Sequence, residues 1–198
     1  MDTNVELSKN ELELVTSSEV ILTKNRIIEK VFALFGSLSE EYRHSLRAHA
    51  DHLPAEIFDK APKIYRGEQY LGLPYVMMDY PRFFAKEDVF AIRSLFWWGN
   101  HFSLTLQVSG KYLEMFSENI MGKLNEKKNE NWFLGVNESA WEHHFEEDNY
   151  LPVKDFTLLS GLVHAPFIKL AKKIPLDEWT NAKDFYTRTY RELLEMIR

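Results

Sequence analysis

Between Ser18 and Phe35 the apolar side chains Ile21, Ile27, Ile28, Val31, Phe32 and Phe35 recur at helical spacing and fall largely on one stripe. Gly36 reads as the stop of that helix, because glycine readily takes the positive φ of a C-terminal cap. Ser37 with Glu40 then reads as a capping box opening a second helix. In it Tyr42, Leu46, His49, Ala50 and Leu53 share a face, and Pro54 closes it. So short a link predicts an antiparallel helix pair. Residues 1–18 are polar and weakly patterned, either a loose arm or a short first helix.

From Lys63 to Gly110 the period moves towards two. Tyr75 to Tyr80 reads as a strand, with Pro74 before it and Pro81 after it. Proline cannot donate to a ladder, so this strand is expected at an edge or ending in a bulge. Val89 to Trp98 and His101 to Ser109 are two more strands, and the intervening Gly99-Asn100 suits a two-residue type II′ hairpin. That register sets Trp98 opposite His101, Trp97 opposite Phe102, Leu95 opposite Leu104 and Arg93 opposite Leu106. One face then holds Val89, Ala91, Leu95, Trp97, Phe102, Leu104, Leu106 and Val108, with Arg93 among them. The other holds Phe90, Ile92, Ser94, Phe96, Trp98, His101, Ser103, Thr105 and Gln107.

Helical spacing resumes with Tyr112, Leu113, Phe116, Ile120 and Leu124 and fades into the charged run from Asn125 to Asn131. Ser139 with Glu142 predicts a short helix anchored by Trp141 and Phe145. Asp155 to Ile174 reads as helical, interrupted near Pro166. A last helix from Thr180 to Arg198 buries Phe185, Tyr186, Tyr190, Leu193 and Ile197. The expectation is a single α+β domain over residues 1–198: an antiparallel β-meander with an N-terminal helix pair and C-terminal helices packed around it.

Composition narrows the functional classes. Of 198 residues, 14% are aromatic, which favours a ring-filled core or a ring-lined pocket. No cysteine is present, excluding a disulfide scaffold, a zinc ribbon and a thiol nucleophile. Met1 to Leu14 lacks the basic start and apolar stretch of a signal peptide. No apolar run approaches the ~18 residues of a membrane span. A cytoplasmic protein without membrane association is expected. The formal charge of −6, with its bases scattered, argues against a nucleic-acid partner.

Three groups of residues carry candidate chemistry. The first is the ring-rich mixed face of the hairpin, where Phe96, Trp98 and His101 join Tyr70 and Tyr75 as walls of a small-molecule pocket. The second is the set Arg66, Glu68, Asp79, Arg82 and Arg93. Arg93, in an apolar row, requires a carboxylate, with Asp79 the first choice and Glu68 the second. The arginines also suit a carboxylate or phosphate of a ligand. Gly67 and Gly72, either side of Tyr70, permit close backbone approach. The third is the run from Trp141 to Asp148. On a helix, His143 with Glu147 and His144 with Asp148 are one turn apart, a spacing that offers metal ligands as readily as solvated ion pairs.

A looser set, His44, His49 and His52, reads as core and cap histidines. Glu41 and His44 match half of a di-iron carboxylate motif whose other half is missing. Ser109-Gly110 before a helix is a weak anion site. No phosphate loop, dinucleotide fingerprint or nucleophile elbow occurs. The leading expectation is binding of a small molecule, an anionic one included, through Arg66, Tyr70, Tyr75, Arg82, Arg93, Phe96, Trp98 and His101. The alternatives are a metal-assisted hydrolase using His143, His144, Glu147 and Asp148, and a structural protein-interaction module.

Overall fold

A computed structural model describes residues 5–126, 130–155 and 165–198. Helices α1 (Lys9–Thr16) and α2 (Ser18–Arg47) lead into strands β1 (Lys63–Tyr70), β2 (Leu73–Phe84), β3 (Val89–Trp97) and β4 (His101–Ser109). Helix α3 (Lys111–Glu126), β5 (Phe133–Gly135), β6 (Tyr150–Pro152), β7 (Phe167–Pro175) and helix α4 (Ala182–Met196) complete the described elements. The strands form one sheet in the order β1-β2-β3-β4-β7-β5-β6, with antiparallel pairing throughout. The chain is thus α+β, with helices before and after a four-strand meander. Among the described residues no helix is long and apolar enough to cross a membrane.

The N-terminal helices divide at Ser17, not at Gly36. Ile28, Val31, Phe35, Leu38, Tyr42 and Leu46 are all buried along α2, and their spacing runs through Gly36 without a change of phase. Burying that stripe outweighs the roughly 1 kcal/mol that a mid-helix glycine costs. The expected capping box gives way to Ser39, whose hydroxyl donates back to the Gly36 carbonyl at 2.7 Å. The helix ends at Arg47, and short 3-10 turns at Ala50–His52 and Ala55–Phe58 carry the chain past Pro54 to the sheet.

Helices α2, α3 and α4 pack on one face of the sheet. Phe102, Leu104, Leu106 and Val108 of β4 point there and are fully buried, beside Phe90, Ile92 and Phe96 of β3 and Val76 and Met78 of β2. Each such side chain contributes about 1.5–3 kcal/mol by leaving water. The hairpin register differs by one residue from the expected one. Trp97 pairs with His101, Phe96 with Phe102 and Arg93 with Thr105, so the loop has three residues, Trp98 to Asn100. A one-residue slip exchanges faces. Phe96 and Trp98 therefore belong to the helix-covered core, where both ring systems meet and Phe96 also meets Trp179. Arg93, His101, Ser103, Thr105 and Gln107 share the opposite face.

Strand β2 is internal, not an edge strand, and Pro81 is accommodated where the ladder to β3 shifts between Asp79 and Arg82. The residues from 167 to 175, expected to be helical, form β7; the earlier part of that segment, 156–164, lies outside the described residues. Ile168 and Leu170 meet the helix layer while Lys169 and Ala171 face the other way. The short helix expected from Ser139 is absent. Asn137 Oδ1 accepts from the Ser139 N–H at 2.8 Å and Ser139 Oγ from the Trp141 N–H at 3.2 Å. Those side chains divert the backbone donors from a helical ladder.

Candidate functional site

The second face of the sheet is buried as well, although its side chains are polar. Asp79, Arg93, His101, Ser103, Thr105, Gln107 and Lys169 all stand there, each at most 9% exposed. Their cover is the segment 136–149 between β5 and β6, called the strap below. Its base is closed by the Val136 N–H donating to the Asn149 carbonyl at 2.9 Å and by Asn137 Nδ2 donating to the Asp148 carbonyl at 3.1 Å. Compact loops with adjoining ends frequently carry function.

Two side chains from the sheet fasten the strap. The Tyr70 hydroxyl accepts the N–H groups of His143 and His144, at 2.6 and 3.0 Å, and donates to Glu142 Oε2 at 3.1 Å. Burial raises the Tyr70 pKa, so the phenol stays protonated. On the other side the Lys169 ammonium donates to the Glu142 carbonyl and to Asn149 Oδ1. Gly135 lets Lys169 lie against β5, because a side chain there would collide with the lysine stem. Burial pushes the Lys169 pKa down to about 7, against the pull of Glu142. This amine is sealed within its tethering contacts, which distinguishes it from an exposed nucleophile.

Arg93 lies at the centre of the face. Its Nε donates to Asp79 Oδ1 at 2.7 Å and its Nη2 to Asp79 Oδ2 at 3.0 Å, while Tyr65 donates to Oδ2 at 3.3 Å. Burial disfavours the guanidinium charge, but the bonds to Asp79 more than offset this. The remaining nitrogen, Nη1, stands 3.5 Å from His143 Nε2, and the Trp141 ring covers Cζ at 5.6 Å. Burial and the neighbouring Arg93 charge hold His143 well below its usual pKa. It is therefore a neutral acceptor for the guanidinium.

A cleft of about 440 Å³ opens beside this group, lined by Tyr65, Glu68, Gln69, Tyr70, Tyr75, Met77, Arg93, Trp141 and His143. Gly67 makes the wall possible: a Cβ at that position would fall on the Tyr75 ring. A second cleft, also about 440 Å³, lies beyond the strap between Trp97, Asn100, His101, Phe133, Phe145 and Lys173. There Trp97 Nε1 and His101 Nε2 are buried without a hydrogen-bond partner among the described residues. A larger hollow of about 560 Å³ between α3 and α4 is walled by Lys123, Glu126, Asp184, Arg188, Arg191 and Glu192. Its charges of both signs include pairs that meet each other, such as Lys123–Glu126 and Arg188–Glu192. Its lining side chains are all polar or charged, with none of the rings that line the first cleft.

Of the residues expected to form a pocket, Tyr70, Tyr75 and Arg93 meet at the first cleft, and His101 lines the second. Phe96 and Trp98 are on the helix side, a correction that follows from the register slip. Arg66 is exposed on the edge strand, and Arg82 donates to the Ala61 carbonyl at 3.0 Å; neither lines the first cleft. Tyr65 and Met77, with Glu68, Gln69, Trp141 and His143, complete the walls. The alternation of Tyr65 and Gly67 against Tyr75, Met77 and Asp79 carried the signal for the first two.

His101, expected to change charge near neutrality, is pushed down to about 3 by burial and by Lys173, and stays neutral between pH 5 and 8. His143 and His144 lie on an irregular strap and not on a helix, and of the two expected partners only Asp148 is met. His144 keeps a contact to Asp148, 3.2 Å from Nε2 to Oδ1, while His143 faces Arg93. Among the described residues no three His, Asp or Glu side chains are grouped to hold a metal ion. What the arrangement provides is a donor-rich aromatic cleft with one deeply set cation. No family model matches the chain, and comparison with curated proteins and with solved structures returns no match.

Proposed function

We propose that the chain is a small-molecule-binding domain whose ligand enters the cleft between the β1–β2 hairpin and the strap. The ligand fitting these walls is compact, with a flat or apolar body and an acceptor group, a carboxylate above all. The observation that carries this reading is Arg93. Asp79 occupies one edge of the guanidinium and His143 faces Nη1, beside a cleft whose walls include the rings of Tyr65, Tyr70, Tyr75 and Trp141. A ring-lined hollow with a few convergent polar groups is the usual form of such a site, and guanidinium N–H groups recognise carboxylates.

A fragment library divided into aromatic carboxylates and their amide counterparts tests this by ligand-observed NMR for binding and by protein spectra for the indole N–H signals. Carboxylates should bind saturably and shift the indole signal of Trp141. Trp141→Ala and Tyr75→Ala should each weaken binding at least tenfold, while Met115→Glu on α3 leaves it unchanged. Equal binding of acids and amides, or affinity indifferent to Trp141 and Tyr75, overturns the proposal.

A further inference from the structure

We infer that the second cleft, beyond the strap, is a binding site of its own for a flat, neutral cyclic amide of the pyrimidinone or purinone type, whose C=O and adjoining N–H meet Trp97 and His101. The three-residue loop from Trp98 to Asn100 sets Trp97 of β3 opposite His101 of β4. Their rings stand edge to face at 5.5 Å, and the Phe145 ring of the strap stands edge to face with His101 at 4.8 Å. Both residues line the cleft, and each is 6% exposed.

The second observation is that the polar atoms of this pair have nothing to bond. Trp97 Nε1 and His101 Nε2 are buried without a partner among the described residues. A buried polar group left unpaired is costly, so two on neighbouring rings call for a reason. Three further side-chain atoms are in the same state, on Trp132, Thr189 and Tyr190, and those residues line none of the clefts described above. Only at Trp97 and His101 do unpaired buried nitrogens coincide with a cleft.

Their chemistry selects the occupant. An indole nitrogen only donates, so the ligand supplies an acceptor to Trp97. Burial and Lys173 keep His101 neutral. A neutral imidazole has one acceptor nitrogen, which takes a donor from the ligand. An acceptor beside a donor is the edge of a cyclic amide; a carboxylate has no donor to give. The rings of Trp97, Phe133 and Phe145 favour a flat body. Lys173 and Glu146 both line the cleft, and the pull of Glu146 opposes the burial that lowers the Lys173 pKa. One charge of each sign suits a neutral ligand, unlike the deeply set cation of the first cleft. To reach the two nitrogens the ligand turns the Phe145 ring aside. That ring is carried by the irregular strap and not by a strand of the sheet.

Protein NMR of the full chain with uracil and with hypoxanthine is the test. At least one should bind saturably with a Kd below about 1 mM. It should also shift the Trp97 indole N–H signal, which the Trp97→Phe variant identifies. If uracil binds, 1,3-dimethyluracil, which keeps both carbonyls and lacks the N–H, should bind at least tenfold more weakly. His101→Phe keeps a ring and removes the unpaired nitrogen. It should weaken binding at least tenfold while the melting temperature stays level or rises, whereas a histidine with a purely structural role would lower it. Uridine monophosphate separates the sources of such a ring. Binding tighter than uracil, with the excess lost in Lys173→Met, assigns a nucleotide; binding equal to uracil assigns the free base. Failure of both uracil and hypoxanthine to bind at about 10 mM overturns the inference. So does dimethyluracil that binds like uracil, or a His101→Phe variant with undiminished affinity.

Discussion

Arg93 on β3 stands directly opposite Asp79 on β2, and two charge-assisted bonds of 2.7 and 3.0 Å join them across the ladder. Both are buried, between a sheet on one side and the strap on the other. Taking two charges out of water is compensated only when geometry and additional bonds are good. Here the Tyr65 hydroxyl supplies a third donor to Asp79.

Asp79→Ala should therefore destabilise the protein by about 3–5 kcal/mol, because it strands a buried guanidinium. The double variant Asp79→Leu with Arg93→Met removes both charges and should recover most of that loss. Urea unfolding measures both. A single variant costing under about 1 kcal/mol would show that water or another acid replaces the lost partner.

Lys169 makes stability depend on pH in a defined window. Its folded pKa of about 7 lies below the ordinary 10.5. Between those values the unfolded chain holds a proton that the folded chain has released, so stability rises with pH from about 7 to 10.5. Below pH 7 both states are protonated and this contribution is flat, with the full penalty of burying the charge in place. The slope reaches at most ~1.4 kcal/mol per pH unit. Denaturation profiles of wild type and Lys169→Met should diverge across that window; parallel profiles would show that the lysine is ordinary.

Much of the architecture was legible because alternation between Lys63 and Gly110 is a local property of strands. The Arg93–Asp79 pair was legible for the same reason, since a charge in an apolar row needs a carboxylate on a neighbouring strand. The register of β4 was not. Ser103 and Thr105 are 1% and 9% exposed while Leu104 and Leu106 are fully buried, so both faces are closed. A solvent-facing row would have distinguished a two-residue from a three-residue loop; two covered faces do not. Strand β7 was hidden by Lys169, Lys172 and Lys173, which suggest a solvated helix. Lys172 instead pairs with Glu192 at 2.6 Å and lies over the Trp132 ring at 4.3 Å. The cover formed by residues 136–149 depends on distant partners, Tyr70 and Lys169, that no local pattern announces.

Tyr70→Phe should loosen the strap without unfolding the sheet. The phenol ring packs against Trp97 and Tyr75 and is retained in the variant, whereas the hydroxyl that receives two backbone N–H groups is lost. Leaving those donors unpaired costs about 1–3 kcal/mol. Amide exchange at His143 and His144 should accelerate at least tenfold, with exchange in β3 and β4 unchanged. Uniform acceleration throughout the chain would mean that Tyr70 holds the whole fold and not the strap alone.

Gly67→Ala tests how the cleft is shaped. At this position the backbone of β1 passes directly under the Tyr75 ring, and an added methyl would overlap two carbons of that ring and its hydroxyl oxygen. The overlap involves a ring fixed on an internal strand, next to the Tyr70 ring, so relief requires Tyr75 to swing into the cleft or β1 to move away from β2. Overpacking of this kind costs about 1–3 kcal/mol. If Tyr75 moves, the cleft narrows, and the affinity for aromatic carboxylates should fall by more than the stability loss explains at temperatures where the variant is fully folded. Gly72→Ala is the matched control. Its φ of 77° makes a side chain strained at that turn, yet nothing lies within 4 Å of an added Cβ. It should lower stability by a comparable amount and leave the cleft intact. Equal affinity losses in the two variants would trace the effect to general destabilisation and remove Gly67 from the account of the cleft.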